Sequence, residues 1–381
     1  MPTIHDAVRA WQANDFVAAR ALCAALADTD PHARYMLGSM ASFGQGGPAD
    51  PSAAAAEYRA AADAGHAVAA YCLGALYAQG RGVPPDLAEA RRWYETAAAA
   101  GEPAALFRLG TMHATGEGVE ADLAAARRWW ERAAAAGHPG AMQALGRLYV
   151  AGEGGYPRDP GRAAEWFFRA WQGGQDDAEQ DIIRVREALE DAAEGGAAAA
   201  QNALGLLFCF GHDDPAVAAA WFDRAAEQGY PEALRMLATL VAEGRGVEKD
   251  VAAAAALYRR AADRGDSFAQ FNLAGMIDRA EGGLARDVSA AIGWFRRAAD
   301  QGMTDAAHRL AELLAERNRD RRDANEAVQR LMAVATAGPA DAAYRLDAGD
   351  GSWAVVMKDR GRYVAMPGLD AAELVGLPDP E

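Results

Sequence analysis

The chain has 381 residues, 51% of them apolar, with 38 basic side chains against 54 acidic ones and a net charge of −16. So large an apolar fraction, much of it alanine, excludes a disordered chain and favours closely packed helices. So acidic a surface, with no compensating basic stripe, excludes nucleic acid as a partner.

Lysine occurs only at Lys249 and Lys358. An Ala- and Arg-rich, Lys-poor chain is what GC-rich coding produces, and it points to a bacterial source. Met1 to Gln12 has neither a basic segment nor an apolar core of the leader type. The apolar stretch Ala197 to Phe210 is too short to span a bilayer and is interrupted by Gln201 and Asn202. The expectation is a cytoplasmic chain without membrane insertion. Cys23, Cys72 and Cys209 are odd in number and far apart, so they form neither a disulfide framework nor a zinc site.

In chain order, residues 3–28 read as a helix pair split at Asn14-Asp15-Phe16, and 1–31 as an N-terminal cap. A period then sets in. Glycines that close a helix fall at Gly65, Gly101, Gly137, Gly174, Gly229, Gly265, Gly302 and Gly338, with spacings of 36, 36, 37, 55, 36, 37 and 36. Aspartates at Asp50, Asp86, Asp122, Asp159, Asp214, Asp250, Asp287 and Asp323 repeat with the same spacings. A third series lies seven residues before each glycine: Tyr58, Tyr94, Trp130, Phe167, Phe222, Tyr258, Phe295 and Leu331.

Each series has a cause. An aspartate before an apolar-periodic run caps orphan backbone N–H groups, and Asp86 with Glu89 has the spacing of a capping box. The glycine supplies the left-handed residue that ends the helix. The preceding helix carries Leu73-Gly74, repeated as Leu37-Gly38, Leu109-Gly110, Leu145-Gly146 and Leu204-Gly205, and replaced by Ala238, Ala274 and Ala311 later. A mid-helix glycine costs ~1 kcal/mol against alanine, so its return predicts close approach of a neighbouring helix. The two helices, A and B, are joined by glycine-rich turns such as Gly80-Arg-Gly-Val83.

This pattern resembles the Sel-1-like repeat, a relative of the tetratricopeptide repeat. Ala69 to Gly101 matches it through Leu73, Gly74, Leu76, Tyr77, Gly80, Gly82, Val83, Asp86, Ala90, Trp93, Tyr94, Ala97, Ala98 and Gly101. The resemblance covers residues 32–338 and implies an all-α fold, a right-handed superhelical solenoid of about eight repeats of paired antiparallel helices. The organisation expected is four repeats over 32–174, a helical insertion over 175–196, and four more repeats over 197–338, the first one shortened. In the shortened unit Gly211-His-Asp-Asp-Pro215 replaces the glycine turn. The insertion reads either as one extra helix or as a contracted pair. Residues 339–381 read as a partial repeat, with Asp341–Leu346 starting a helix A. A β-hairpin of 353–357 with 362–366 and a short helix follow as a C-terminal cap.

Chemistry is sparse. The glycine turns look like phosphate loops but lack the preceding strand and following lysine, and they recur with the repeat. The sequence holds no HExxH or GxSxG motif, and Asp176-Asp177 and Asp213-Asp214 read as helix caps. The cluster Arg317, Arg319, Arg321 and Arg322 reads as a solvated turn. Trp93, Trp129, Trp166, Trp221 and Trp294 share one helix B position and read as packing residues that seal repeat to repeat. The expectation is a non-enzyme without metal or cofactor.

The resemblance to tetratricopeptide stacks implies that helix A lines a concave groove. The residue three before the Leu-Gly glycine then points inward: Tyr35, Tyr71, Phe107, Gln143, Asn202, Arg235, Phe271 and His308. Phe43, Gln79, Thr111, Arg147, Thr239, Asp278 and Arg279 are its neighbours. The first three are aromatic, as an apolar hot-spot strip would be; the competing reading buries them against the next repeat. The family implies an adaptor or scaffold, a monomer when free, that binds a protein or peptide. The alternatives are an inhibitor or immunity protein that sequesters an enzyme or toxin, or, third, an enzyme or small-molecule-binding protein on a solenoid.

Overall fold

The computed structural model describes residues 3–317, 344–347, 353–359 and 362–369. It divides into two compact units, Met1–Leu189 and Glu190–Glu381.

The first unit opens with α1 (Ile4–Gln12) and α2 (Phe16–Leu26), separated by Asn14 in the left-handed region, φ 60°. Four helix pairs follow: α3 (Pro31–Phe43) with α4 (Pro51–Asp63), α5 (Ala67–Gln79) with α6 (Leu87–Ala99), α7 (Pro103–Thr115) with α8 (Leu123–Ala135), and α9 (Pro139–Ala151) with α10 (Pro160–Gln172). Short connections make the partners antiparallel. The insertion is a single helix, α11 (Asp177–Glu194).

In the second unit α12 (Ala198–Leu206) ends in a π-helical turn, Leu207–Gly211, before α13 (Pro215–Glu227). Here Asp213, at φ 50°, takes a left-handed bend that glycines make in most of the other turns. Next come α14 (Pro231–Glu243) with α15 (Val251–Ala262), α16 (Ser267–Asp278) with α17 (Val288–Asp300), and α18 (Thr304–Arg317). Three antiparallel strands, β1 (Tyr344–Asp347), β2 (Trp353–Asp359) and β3 (Arg362–Leu369), form one sheet in that order. Tyr344 pairs with Val356, and Val356 with Ala365. The helix expected over Asp341–Leu346 is therefore corrected: Tyr344–Asp347 is a strand, because Tyr344, Arg345, Leu346 and Asp347 pair with β2. The helix B around Asp323 and Leu331, the closing Gly338, the arginines from Arg319 to Arg322 and the terminal short helix lie outside the described residues.

The capping aspartates behave as their position demands. Asp86 Oδ1 accepts from Ala88 and Glu89 N–H at 2.9 and 3.0 Å, and Asp122 Oδ1 from Ala124 and Ala125 at 2.8 and 2.9 Å. The capping box at Glu89 does not form. The Asp86 N–H goes instead to Tyr77 O at 3.0 Å, closing the A–B turn, and Glu89 pairs with Arg92 at 2.6 Å. The same closure ties Asp50 to Ala41, Asp122 to His113, and Asp250 to Val241.

The mid-helix glycine has the packing cause its recurrence predicts. A Cβ on Gly110 would lie 2.4 Å from the Trp130 ring, on Gly146 2.5 Å from Phe167, and on Gly205 2.5 Å from Phe222. Helix A thus presents bare backbone to the aromatic of its own helix B. Those aromatics are the core: Tyr94, Phe167, Phe222 and Phe295 are at most 2% exposed. Alanines such as Ala97, Ala133 and Ala225, one turn on, let the backbones close around them.

The cysteines serve this packing. Cys23 is buried against Met36, and burial pushes its thiol and that of Cys72 up to about 11. Both are therefore inert thiols at neutral pH.

Candidate partner-binding face

The eight positions expected to line the groove lie on successive helices A, and at Tyr35, Phe107 and Arg235 the side chain reaches the start of the following helix A, as the reading that buries them against the next repeat implied. Tyr35 stacks on His66 with centroids 4.7 Å apart, and Phe107 stacks on His138 at 4.4 Å. Arg235 Nε donates to Asp266 Oδ2 at 3.2 Å. The partner is in each case the residue that caps the next helix A, 31 positions on: His66 Nδ1 accepts from Ala69 N–H at 3.2 Å, His138 Nδ1 from Ala141 N–H at 3.3 Å, and Asp266 Oδ1 from Ala269 N–H at 2.7 Å. In these three units the position therefore links a repeat to the start of its neighbour. A signal for it lay in the complementary pairs Tyr–His, Phe–His and Arg–Asp at constant spacing.

What remains at the surface differs from repeat to repeat. Tyr35, Tyr71, Phe107, Arg235, Phe271 and His308 are half-buried. Tyr71 packs beside Tyr94 at 5.8 Å and Phe271 edge-on to Phe295 at 5.5 Å, while His308 pairs with Glu312. Burial pushes the phenols of Tyr35 and Tyr71 above their ordinary value, so both are neutral donors. Phe43, 70% exposed, and Gln79 close the same helices, and Arg279 is also exposed. Thr111 and Thr239 are half-buried, and their hydroxyls donate to the helix carbonyls of Phe107 and Arg235, both at 3.1 Å.

Three expected surface residues are buried instead. Gln143 (6% exposed) donates to Asp181 Oδ2 at 2.8 Å. Arg147, though exposed, reaches the same carboxylate at 2.9 Å, and Arg184 holds its other oxygen at 2.9 Å. Asp181 belongs to α11, so the inserted helix consumes what the fourth repeat offers. Asn202, 0% exposed, donates to Glu232 at 3.2 Å. Asp278, 8% exposed, receives Arg286 and Arg309, each at 3.2 Å. A side chain with its polar atoms so engaged is a joint within the chain.

The tryptophans sit one residue before the buried aromatic, at the margin of the core. Arg132, Arg169, Arg224 and Arg297 lie 4.6, 5.2, 4.6 and 4.5 Å from the ring centroids of Trp129, Trp166, Trp221 and Trp294. Among the described residues no three His, Cys, Asp or Glu side chains come together as metal ligands, and no helix is long and apolar enough to cross a membrane.

The histidine caps carry a pH dependence. A protonated imidazole cannot accept the Ala141 amide, and burial holds His138 below its ordinary value. The neutral form thus stabilises the fold above pH ~6.5, and that contribution is lost as pH falls below it, because the unfolded chain binds the proton first. His138→Asn keeps a cap without titrating. Its melting temperature should fall less than that of the parent chain between pH 7.5 and 5.5, as thermal melts at the two pH values would show.

The sequence profile of the Sel1 repeat matches residues 31–66, 67–102, 103–138, 139–174, 198–230, 231–266 and 267–303. Similar solved structures include the protective antigen c5321 of uropathogenic Escherichia coli, described as an SLR fold. It is 25% identical over 88% of this chain and 88% of its own, with a TM-score of 0.44. A Sel1 repeat protein from Oxalobacter formigenes is 22% identical over 78% of this chain and 97% of its own, TM-score 0.40. The immunity protein Pa5087 of Pseudomonas aeruginosa is 18% identical over 62% and 83%, TM-score 0.29. A comparison with curated proteins gives no match.

Proposed function

This chain belongs to the Sel1 repeat family, and on that premise we propose that it is a non-catalytic scaffold holding a protein or peptide along the helix A face of its first unit. The observation that carries the reading is the half-buried ring at one position of three successive repeats, Tyr35, Tyr71 and Phe107, with Phe43 70% exposed on the first of these helices. Rings anchored on one side by a neighbouring side chain lose little freedom when a partner covers the other, which is how aromatic anchors gain their energy. Gln143 and Asn202 are left out of this surface because they are spent inside the chain.

The test places a photo-crosslinking amino acid at Phe43 in the native organism, identifies the linked protein, and measures its affinity for the purified chain. Tyr71→Ala with Phe107→Ala should weaken that binding at least ~30-fold, the effect of losing a hot spot, with the melt changed by only a few degrees. Unchanged binding, or a melt that collapses, would assign the rings to packing alone.

The net charge of −16 also supports a second reading, an inhibitor that caps a basic enzyme or toxin. Tight one-to-one binding that weakens steeply with salt distinguishes it from an adaptor.

A further inference from the structure

The helices B offer an internal experiment. Counting from the capping aspartate, tryptophan stands seven residues on in α6, α8, α10, α13 and α17, and ten residues on stand Thr96, Arg132, Arg169, Arg224 and Arg297. In the last four helices the guanidinium covers the indole at 4.5–5.2 Å. Only α6 has the tryptophan without the arginine. No described arginine lies over Trp93, and the Thr96 hydroxyl turns back to its own helix, donating to Arg92 O at 3.0 Å.

On the outward face of α6 the indole is flanked by Glu89, Arg92, Glu95 and Thr96. Trp93 is half-buried and packs against the core. Of the two carboxylates beside the ring, Glu89 is paired with Arg92 at 2.6 Å. Glu95 has Arg91 at 3.5 Å, an exposed pair of the kind worth little in water. An indole face beside acid oxygens attracts a planar cation, and a guanidinium gains from both the ring and the carboxylates.

We propose that Trp93 is a docking site for an arginine side chain of a partner protein, which completes between molecules the pair the other four helices complete within the chain. The occupant is identified by what this fold places at the same position elsewhere and by the acidic charge of the chain, −16. The site lies on a helix B, so it stands or falls independently of the helix A face.

The experiment uses the full chain labelled with 5-fluorotryptophan, with the Trp93 resonance assigned through Trp93→Phe. The probes are an end-capped Gly-Arg-Gly peptide and its citrulline counterpart, which is nearly equal in size and uncharged. The expected result is a saturable shift of the Trp93 resonance, with the arginine peptide binding about two- to fivefold tighter than the citrulline one. The signals of Trp129, Trp166, Trp221 and Trp294 should stay in place. Thr96→Arg supplies the missing guanidinium within the chain and should abolish the Trp93 shift in a protein whose melt shows it folded. Should that variant not fold, Glu95→Gln should weaken the arginine response and leave the citrulline response unchanged. No shift, an equal response to both peptides, or a response untouched by these substitutions would overturn the proposal.

Discussion

Gly82→Ala should lower the melting midpoint of the first unit by about 4–20 degrees. Gly82 is the second glycine of an A–B turn, at φ +72°, where a side chain costs ~1–2 kcal/mol in backbone strain. The larger cost is steric. A Cβ there would sit 2.2 Å from the carbonyl carbon and 2.3 Å from the oxygen of Pro51, the first residue of α4 in the preceding repeat. Backbone cannot give way as a side-chain end does, so the turn must lift off the helix it rests on, adding ~1–3 kcal/mol or more. The Ser52 hydroxyl bond to Gly82 O, 3.1 Å, goes with it. Gly101→Ala is the control. It shares the left-handed φ, +86°, but its Cβ would meet nothing within 4 Å, so only the strain is felt. Equal melting temperatures for the two variants would show that the turn does not depend on this contact.

Phe222→Ala should cost ~3–5 kcal/mol, the usual loss for a large aromatic removed from a core. Its neighbour Trp221→Ala should cost well under half of that. Phe222 is 0% exposed and fills the space left by Gly205, whose Cβ would lie 2.5 Å from the ring. Trp221 is half-buried and gives up mainly its contact with Arg224 at 4.6 Å, worth ~0.5–1 kcal/mol at such a site. Chemical denaturation of the full chain, read by a probe in the second unit, orders the two variants. The reverse order would place the tryptophan, not the phenylalanine, at the centre of the repeat.

The comparison of Trp221 with Phe222 shows how far the sequence could be read. Both recur with the period, and both suit an amphipathic helix, so period alone does not say which is the core. The glycine one helix earlier does, because only a ring pressed on helix A requires bare backbone there. The groove positions were harder. Tyr35 and Gln143 occupy equivalent places, yet Tyr35 keeps part of its surface while Gln143 is closed over by Asp181 of α11. No local rule relates Gln143 to a residue 38 positions later in an insertion.

By itself the sequence determined the helix pairs, their caps and their turns, because these rest on interactions within a few residues: Asp86 on its own helix's N–H groups, and glycine at the left-handed bends. It also determined the pairing of each helix A with its helix B, through a glycine and an aromatic that recur together. Only the tertiary structure decided which polar residues are spent inside the chain. Asn202, Gln143 and Asp278 are joints because other elements deliver Glu232, Asp181, Arg286 and Arg309 to them. Only the tertiary structure, too, showed that the arginine three residues after the tryptophan lies over its ring in the other four helices, the contact that Thr96 denies Trp93. Exposure and ion pairing depend on what the rest of the fold brings near, and side chains of one type at one repeat position meet different neighbours.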